Sequence, residues 1–453
     1  MSRLPNIVFI FSDQQRWDTL GCYGQRLAVS PNLDKMAAEG VLFENSFTCQ
    51  PVCGPARSCL QTGKYATETG CYRNNIALPP DEKTLAHYLR DLDYEVGYIG
   101  KWHLASAGSE VTHVPTAESG SEENYRSKPI PPERRGGYED FWLASDVLEF
   151  TSHGDGGYMF DGDMRKVGFQ GYRVDCLTDF ALGYLRTRDR VKPFFLFLSY
   201  LEPHHQNDRN RFEGPAGSKE RFGRFDPPGD LISLDGDWPD QFPDYLGCCA
   251  SIDRNVGRIR TDLQRLGLSD NTIVFFASDH GCHFRTRNKG LDENNYDDYK
   301  RSCHEASIHV PLIACGGSFH GGKRIKELVS LIDIPPTILS CAGIPKPKVM
   351  KGRSFKELAE GKSDSWRNEV FLQISESQVG RAIRTERWKY SVRAPEKSCK
   401  QEPPRISKSE PPSRARKAGF RQFSCSQSTS SLAFRNQNST MIKVKRFVFP
   451  FSP

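Results

Sequence analysis

Cys53-Gly54-Pro55-Ala56-Arg57 brings a thiol, a proline and a guanidinium together in one polar loop, followed by Leu60 and Thr62-Gly63. Pro55 suits the first position of a helix, where a missing N–H costs nothing. Cys53 would then lie at the positive end of that helix, with free N–H groups facing a tetrahedral oxyanion. Arg57, about one turn on, is placed to aim a fixed fork of donors at the same anion. A buried cysteine beside a Pro-kinked turn is the plainer alternative, so the companions must decide. Asp13-Gln14 offers a carboxylate and an amide oxygen, the donors a hard cation takes. Asp279-His280 offers a second carboxylate and an imidazole, a softer donor. Lys101 and His103, two apart, share one side if both lie on a strand. His204-His205 supplies imidazoles whose pKa suits proton transfer near neutrality.

These residues follow apolar runs. Ile7–Phe11 ends at Ser12-Asp13-Gln14, Glu95–Ile99 at Gly100-Lys101, Phe194–Leu198 shortly before His204, and Thr272–Ala277 at Ser278-Asp279. Such runs without alternation read as strands of a sheet covered on both faces. Helical patterns lie between them at Pro31–Glu39, Thr84–Leu92, Arg173–Arg186 and Tyr245–Leu266, with Gly40 and Gly267 as stops. Alternating strands and helices give an α/β fold with a mostly parallel sheet sandwiched by helices. Ligands of such sheets bind beyond the carboxyl ends of the strands, which is where Asp13, Lys101, His204 and Asp279 fall. The polar stretches Ala105–Gly137 and Gln206–Asp240 are too long for simple connections and read as rim loops.

The 453 residues suffice for one large domain and a smaller one. The net charge of +6 is misleading, because residues 394–453 hold twelve Lys/Arg against three Asp/Glu and the remainder stands at −3. A nucleic-acid partner is therefore not expected. The fourteen cysteines are scattered without C-x-x-C pairs, which suits a reducing compartment. No window has the length of a membrane span, and no signal peptide is visible. A cytoplasmic location is expected, or a periplasmic one if the start is misassigned.

The C-x-P-x-R pentapeptide resembles the signature of the type I, formylglycine-dependent sulfatases, within the alkaline-phosphatase-like superfamily. The opening NIVFIFSDQQRWDTLGCYG, the segment YIGKWHL, the Pro-His of LEPHH, the Asp279-His280-Gly281 triplet and a K…E-x-S…VPL stretch from Lys300 through Glu305 to Leu312 resemble the same family. The likeness covers roughly Asn6 to Tyr390. It implies an alkaline-phosphatase-like α/β domain over 1–345, a remnant of a smaller C-terminal α+β part over 346–393, and a basic Ser/Pro-rich tail over 394–453, disordered or aberrant.

The resemblance implies an enzyme that hydrolyses a sulfate monoester. Cys53 becomes formylglycine through a maturation enzyme, and its hydrated aldehyde attacks sulfur. Asp13, Gln14, Cys53, Asp279 and His280 hold one divalent cation, Ca²⁺ or another such as Mg²⁺. Many members carry a second Asp where Gln14 stands, and Asn where His280 stands. Arg57, Lys101 and Lys300 compensate charge, His103 assists collapse of the intermediate, and His204 assists the leaving alcohol. His205 is the alternative to His204, and Arg301 and Lys289 are rivals of Lys300. A zinc reading of His280, Cys282 and His283 is weaker for want of an orderly partner pair. The polar loops favour a sulfated saccharide. A formylglycine-dependent phosphonate monoester or phosphodiester hydrolase and an inactive sulfatase-like binding protein are the alternatives.

Overall fold

A computed structural model describes residues 4–107, 124–188, 191–287, 299–362, 366–376 and 379–394. Lys289 and the tail from 395 onward lie outside them. The strands are β1 (Asn6–Ser12), β2 (Val41–Phe47), β3 (Glu95–Lys101), β4 (Phe141–Ser145), β5 (Ser152–His153), β6 (Gly156–Asp161), β7 (Lys166–Gln170), β8 (Phe194–Ser199), β9 (Thr272–Ser278), β10 (Leu312–Cys315), β11 (Lys323–Ser330), β12 (Glu369–Ile374), β13 (Gly380–Thr385) and β14 (Lys389–Arg393). The large sheet runs β11-β2-β10-β9-β1-β8-β3-β4-β6-β5, with β7 on β6. Its centre, from β9 through β1, β8 and β3 to β4, is parallel; β10 runs antiparallel to both β9 and β2, β2 and β11 pair parallel at one edge, and β5–β7 pair antiparallel at the other. The expected α/β architecture is thus present, with antiparallel strands the apolar runs did not reveal.

The central strands are apolar throughout because both faces are covered. Ile7, Phe9 and Phe11 of β1 pack on one side with Leu60, Leu85, Leu89 and Ile338. Val8 and Ile10 pack on the other with Leu33, Met36, Leu177 and Val256. Burying each such side chain contributes roughly 1.5–3 kcal/mol, so the sheet that fixes the site is firmly held.

The helices Pro31–Glu39 and Arg173–Thr187 match expectation closely, and Leu85–Arg90 is shorter than Thr84–Leu92. The long helix starts at Trp238, seven residues before Tyr245, and runs to Arg265 through Pro243. Its first turns are held because Phe242 and Tyr245 are buried in an aromatic cluster with Phe212, Phe284 and Tyr299. That packing offsets the one backbone bond Pro243 removes. β12–β13–β14 form a separate antiparallel sheet. Val370, Leu372 and Ile374 pack it against Phe47 and Leu328 of the large sheet's margin. Ile383, Trp388 and Tyr390 remain 44–50 % exposed on it. No helix among the described residues is long and apolar enough to cross a membrane.

Candidate active site

The carboxyl ends of β1, β8, β3 and β9 lie side by side, since β1 pairs Phe11 with Ser199 and Ser12 with Ser278, and β3 pairs Gly100 with Ser199. Asp13, Lys101, His204 and Asp279 are therefore neighbours although up to 266 positions separate them. The helix Cys53–Thr62 points its first turn at this cluster, and all ten of its residues are buried. It begins at Cys53 with Val52 as N-cap, so Pro55 is its third residue rather than its first. The thiol nonetheless sits at the helix's positive end. The adjacent Gly54 N–H donates to Asn74 Oδ1 at 2.9 Å.

Cys53 is the hub. Its Sγ lies 3.4 Å from Asp13 Oδ1, 3.2 Å from His280 Nε2 and 3.3 Å from Lys300 Nζ. Burial alone would push the thiol up, but Lys101, Lys300 and His280, with a smaller contribution from His103, bring it well below the ordinary thiol value. The pocket is built to favour an anion at this side chain's tip. Lys300 Nζ also contacts His204 Nε2 at 2.8 Å and Gln14 Oε1 at 3.3 Å. Lys101 Nζ donates to Asp13 Oδ2 at 2.6 Å.

Arg57 departs from the simplest expectation. Its fork is turned to the protein: Nη1 donates to Lys101 O and Ser199 Oγ, both at 2.8 Å, and Nη2 to Asp13 Oδ2 at 3.0 Å. Nε stands 3.6 Å from Asp279 Oδ2. Arg57 thus fixes the carboxylates and the end of β3. His103 also departs, because β3 ends at Lys101 and His103 has a left-handed backbone with φ 59°. Strand alternation does not carry it to the site; the turn does, and it reaches Cys53 all the same.

Two adjacent pairs point apart. His204 faces Lys300, whereas the His205 ring lies 4.5 Å from Tyr299 and 5.2 Å from Phe212 in the aromatic cluster. Lys300 points in, whereas Arg301 Nε turns to Glu376 Oε2 at 2.5 Å.

Asp13, Cys53, Asp279 and His280 place one donor atom each within 4.8 Å of one another, all buried. Asp13 is held well below the usual carboxylate range: burial and the Cys53 charge push it up, and Lys101, His204 and Arg57 outweigh them. Asp279 is pushed up to about 6 by burial and by Asp13, and its buried Oδ2 has no hydrogen-bond partner. His280 Nδ1 donates to Gly281 O at 3.0 Å, which leaves the Nε2 lone pair facing the carboxylates. An orphaned carboxylate oxygen and an imidazole in the ligating tautomer fit a divalent cation. Gln14 lies on the Lys300 side, with its backbone N–H on Asp279 Oδ1 at 2.9 Å. Cys282 and His283 are not part of the group: Cys282 Sγ meets Gln14 Nε2 at 3.6 Å, and His283 Nε2 donates to Lys300 O at 2.9 Å.

Sequence reasoning passed over several residues that shape the site. Asp146 accepts the backbone N–H groups of Leu104, Ala105 and Ser106 at 2.9–3.0 Å, anchoring the turn that carries His103. The run Phe141–Ala144 ending at Ser145-Asp146 follows the same rule as the other four and was the available signal. Arg16 is fully buried between Asp18 and Asp230, tying the Asp13 loop to the rim. Glu149 and Glu376 gave no sequence signal.

A family model described as Sulfatase matches residues 5–344. An ulvan-active sulfatase of Formosa agariphila is 28 % identical over 406 residues, covering 85 % of this chain and 72 % of its own. An N-acetylglucosamine-6-O-sulfatase of Bacteroides thetaiotaomicron is 24 % identical over 462 residues, covering 84 % and 76 %. The crystal structure of a putative sulfatase from Bacteroides fragilis superposes with a TM-score of 0.72 at 26 % identity, covering 87 % of each chain.

Proposed function

We propose that this chain, which belongs to the sulfatase family, cleaves the sulfate monoester of a carbohydrate through a formylglycine made from Cys53. Membership makes it a sulfuric ester hydrolase; the saccharide, the modified residue and the metal are the finer reading. The observation that carries it is the hub geometry: the Cys53 tip sits between Lys300 at 3.3 Å and His280 at 3.2 Å, in surroundings that favour an anion there. The named substrates of two relatives, ulvan and an N-acetylglucosamine 6-sulfate, support a sulfated saccharide here.

Asp13, Gln14, Asp279, His280 and the modified Cys53 would hold the cation, Ca²⁺ by resemblance, and the bound cation would supply Lewis acidity toward a sulfate oxygen. The formylglycine would supply a hydrated aldehyde as nucleophile. The chain's own residues do the rest. Lys101 and Lys300 present ammonium groups to the sulfate oxygens, where negative charge is spread in the transition state. Arg57 holds Asp13 and the end of β3 in register, so Lys101 is aimed without reorganisation. His103, whose neighbourhood helps lower the Cys53 thiol, would take a proton from that position. His204 is placed to give one to the departing alcohol.

The test is mass spectrometry of the Cys53 peptide alongside turnover of sulfated monosaccharides, 4-nitrophenyl sulfate and bis(4-nitrophenyl) phosphate. An aldehyde mass shift with turnover of a sulfated sugar is expected. Full activity with an intact thiol would sink the mechanism, and preference for the phosphodiester would sink the substrate class.

A further inference from the structure

The turn after β4 brings an unassigned carboxylate to the other side of His204. Glu149 Oε2 lies 3.3 Å from His204 Nδ1, with the two side chains 11 % and 4 % exposed. The same Nδ1 is 2.6 Å from the backbone oxygen of His205. Both neighbours of Nδ1 are acceptors, so Nδ1 carries the proton and the ring orientation is fixed. Nε2 then points at Lys300 Nζ, 2.8 Å away. Glu149 is itself held: Asn207 Nδ2 donates to Oε1 at 3.2 Å and to Oε2 at 3.4 Å, and Gln206 Nε2 donates to the Glu149 backbone oxygen at 3.2 Å.

The arrangement answers a charge problem. With Nδ1 protonated, the neutral ring meets the Lys300 ammonium through the Nε2 lone pair, and in that state it has no proton to give. A proton on Nε2 makes an imidazolium beside an ammonium, two like charges in a buried pocket. A carboxylate on the far side of the ring offsets that repulsion at its source. Buried carboxylate–imidazole pairs act in this way, orienting the ring and stabilising its cationic form without taking the proton.

We propose that Glu149 is the positioning and charge-compensating partner of His204, allowing Nε2 to carry the proton that the leaving alcohol receives. In that step the Nε2–H bond breaks and an O–H bond forms on the ester oxygen as its bond to sulfur breaks, while sulfur bonds to the attacking oxygen of the hydrated aldehyde at position 53. The ring returns to its neutral state with Nδ1–H still on His205 O and Glu149, and Lys300 keeps its charge. The inference rests on His204 being the general acid of the proposed sulfatase reaction.

The experiment compares matured wild type, Glu149→Gln, Glu149→Asp and His204→Ala on a series of aryl sulfates of graded leaving-group acidity and on one sulfated sugar. General-acid assistance is worth roughly 10²–10⁴-fold for a poor leaving group and little for a good one. Glu149→Gln is expected to lower kcat on the sugar sulfate by about 10–10²-fold, a part of that range. It should change 4-nitrophenyl sulfate turnover less than about threefold, steepen the leaving-group dependence and leave KM nearly unchanged. Glu149→Asp should recover part of the loss. A merely structural role would depress all substrates alike. If His204→Ala steepens the dependence and Glu149→Gln does not, the inference is overturned and His204 keeps its role. If neither steepens it, His204 is not the acid and both ideas fall.

Discussion

Gly100→Ala tests whether the sheet's register is what aims the site. Gly100 has φ 106°, in the left-handed region, and a Cβ there would overlap the Ser199 carbonyl oxygen on β8 and come within 3.1 Å of Leu177 Cδ2. An L-residue in that conformation costs roughly 1–2 kcal/mol. The carbonyl is backbone in a paired strand, so relief requires β3 and β8 to part. Overpacking of this kind costs about 1–3 kcal/mol, and each ladder bond lost about 1 more. The sum is about 3–6 kcal/mol, a large share of the roughly 5–15 kcal/mol that holds a domain. The two groups that must move are functional neighbours: Ser199 Oγ and Lys101 O both accept from Arg57 Nη1. A displacement of about 1 Å there should cut kcat/KM by about 10²-fold or more. Gly97→Ala is the control, because its Cβ would meet only the side chains of Leu196, Phe141 and Tyr184 at 3.3–3.5 Å, which can shift. Urea unfolding followed by tryptophan fluorescence and steady-state hydrolysis read the two effects. A Gly100→Ala enzyme no less stable and no less active than Gly97→Ala would refute the reasoning.

His309 is buried against Trp17 with ring centroids 4.2 Å apart, and burial takes it from 6.5 down to about 4. The unfolded chain therefore binds a proton the native state refuses between those values. The contribution is fully present above pH 6.5 and is lost as pH falls to about 4, on the order of 3 kcal/mol. Urea midpoints of His309→Gln against pH should show a flatter slope in that window, and an unchanged slope would count against it. Glu376 accepts the backbone N–H of Asn74 and the Arg301 Nε, both at 2.5 Å, while Asn74 holds Gly54 and Arg301 adjoins Lys300. Glu376→Ala should lower kcat/KM by about tenfold, the effect of a small misplacement of two site elements, with thermal melting reduced by only a few degrees. Undiminished kcat/KM would remove the small sheet from the catalytic argument.

Four corners of the site were legible because each is local in the chain. A polar residue directly after a buried strand declares its own position at the sheet's edge, and Asp13, Lys101 and Asp279 do so. Cys53 and Arg57 were legible as types at a fixed spacing. What could not be read is direction. Arg57 and Arg301 are long cations close in the chain to Cys53 and Lys300, and only tertiary contacts show that one turns to Asp13 and the other to Glu376. Neighbouring His204 and His205 diverge for the same reason, one drawn to Lys300 and the other into an aromatic cluster. The helix expected from Tyr245 starts earlier, at Trp238, because burial of Phe242 and Tyr245, a tertiary effect, holds the turns before it.

The distribution of charge says why the opening pair is Asp-Gln in this chain. Asp13 already has two cations, Lys101 at 2.6 Å and Arg57 at 3.0 Å, whereas Asp279 Oδ2 faces Arg57 Nε at 3.6 Å, beyond hydrogen-bond reach. The pocket is therefore short of positive charge on the Asp279–His280 side. On the Lys300 side the balance is reversed. Lys300 meets a neutral amide at Gln14, a neutral face of His204 and the Cys53 tip. A carboxylate in place of Gln14 would pair with Lys300 and quench it. With glutamine there, the ammonium keeps its charge for an anion, and the group that could hold a cation carries less negative charge. The imidazole of His280, with its lone pair turned inward, is the donor that offsets the loss.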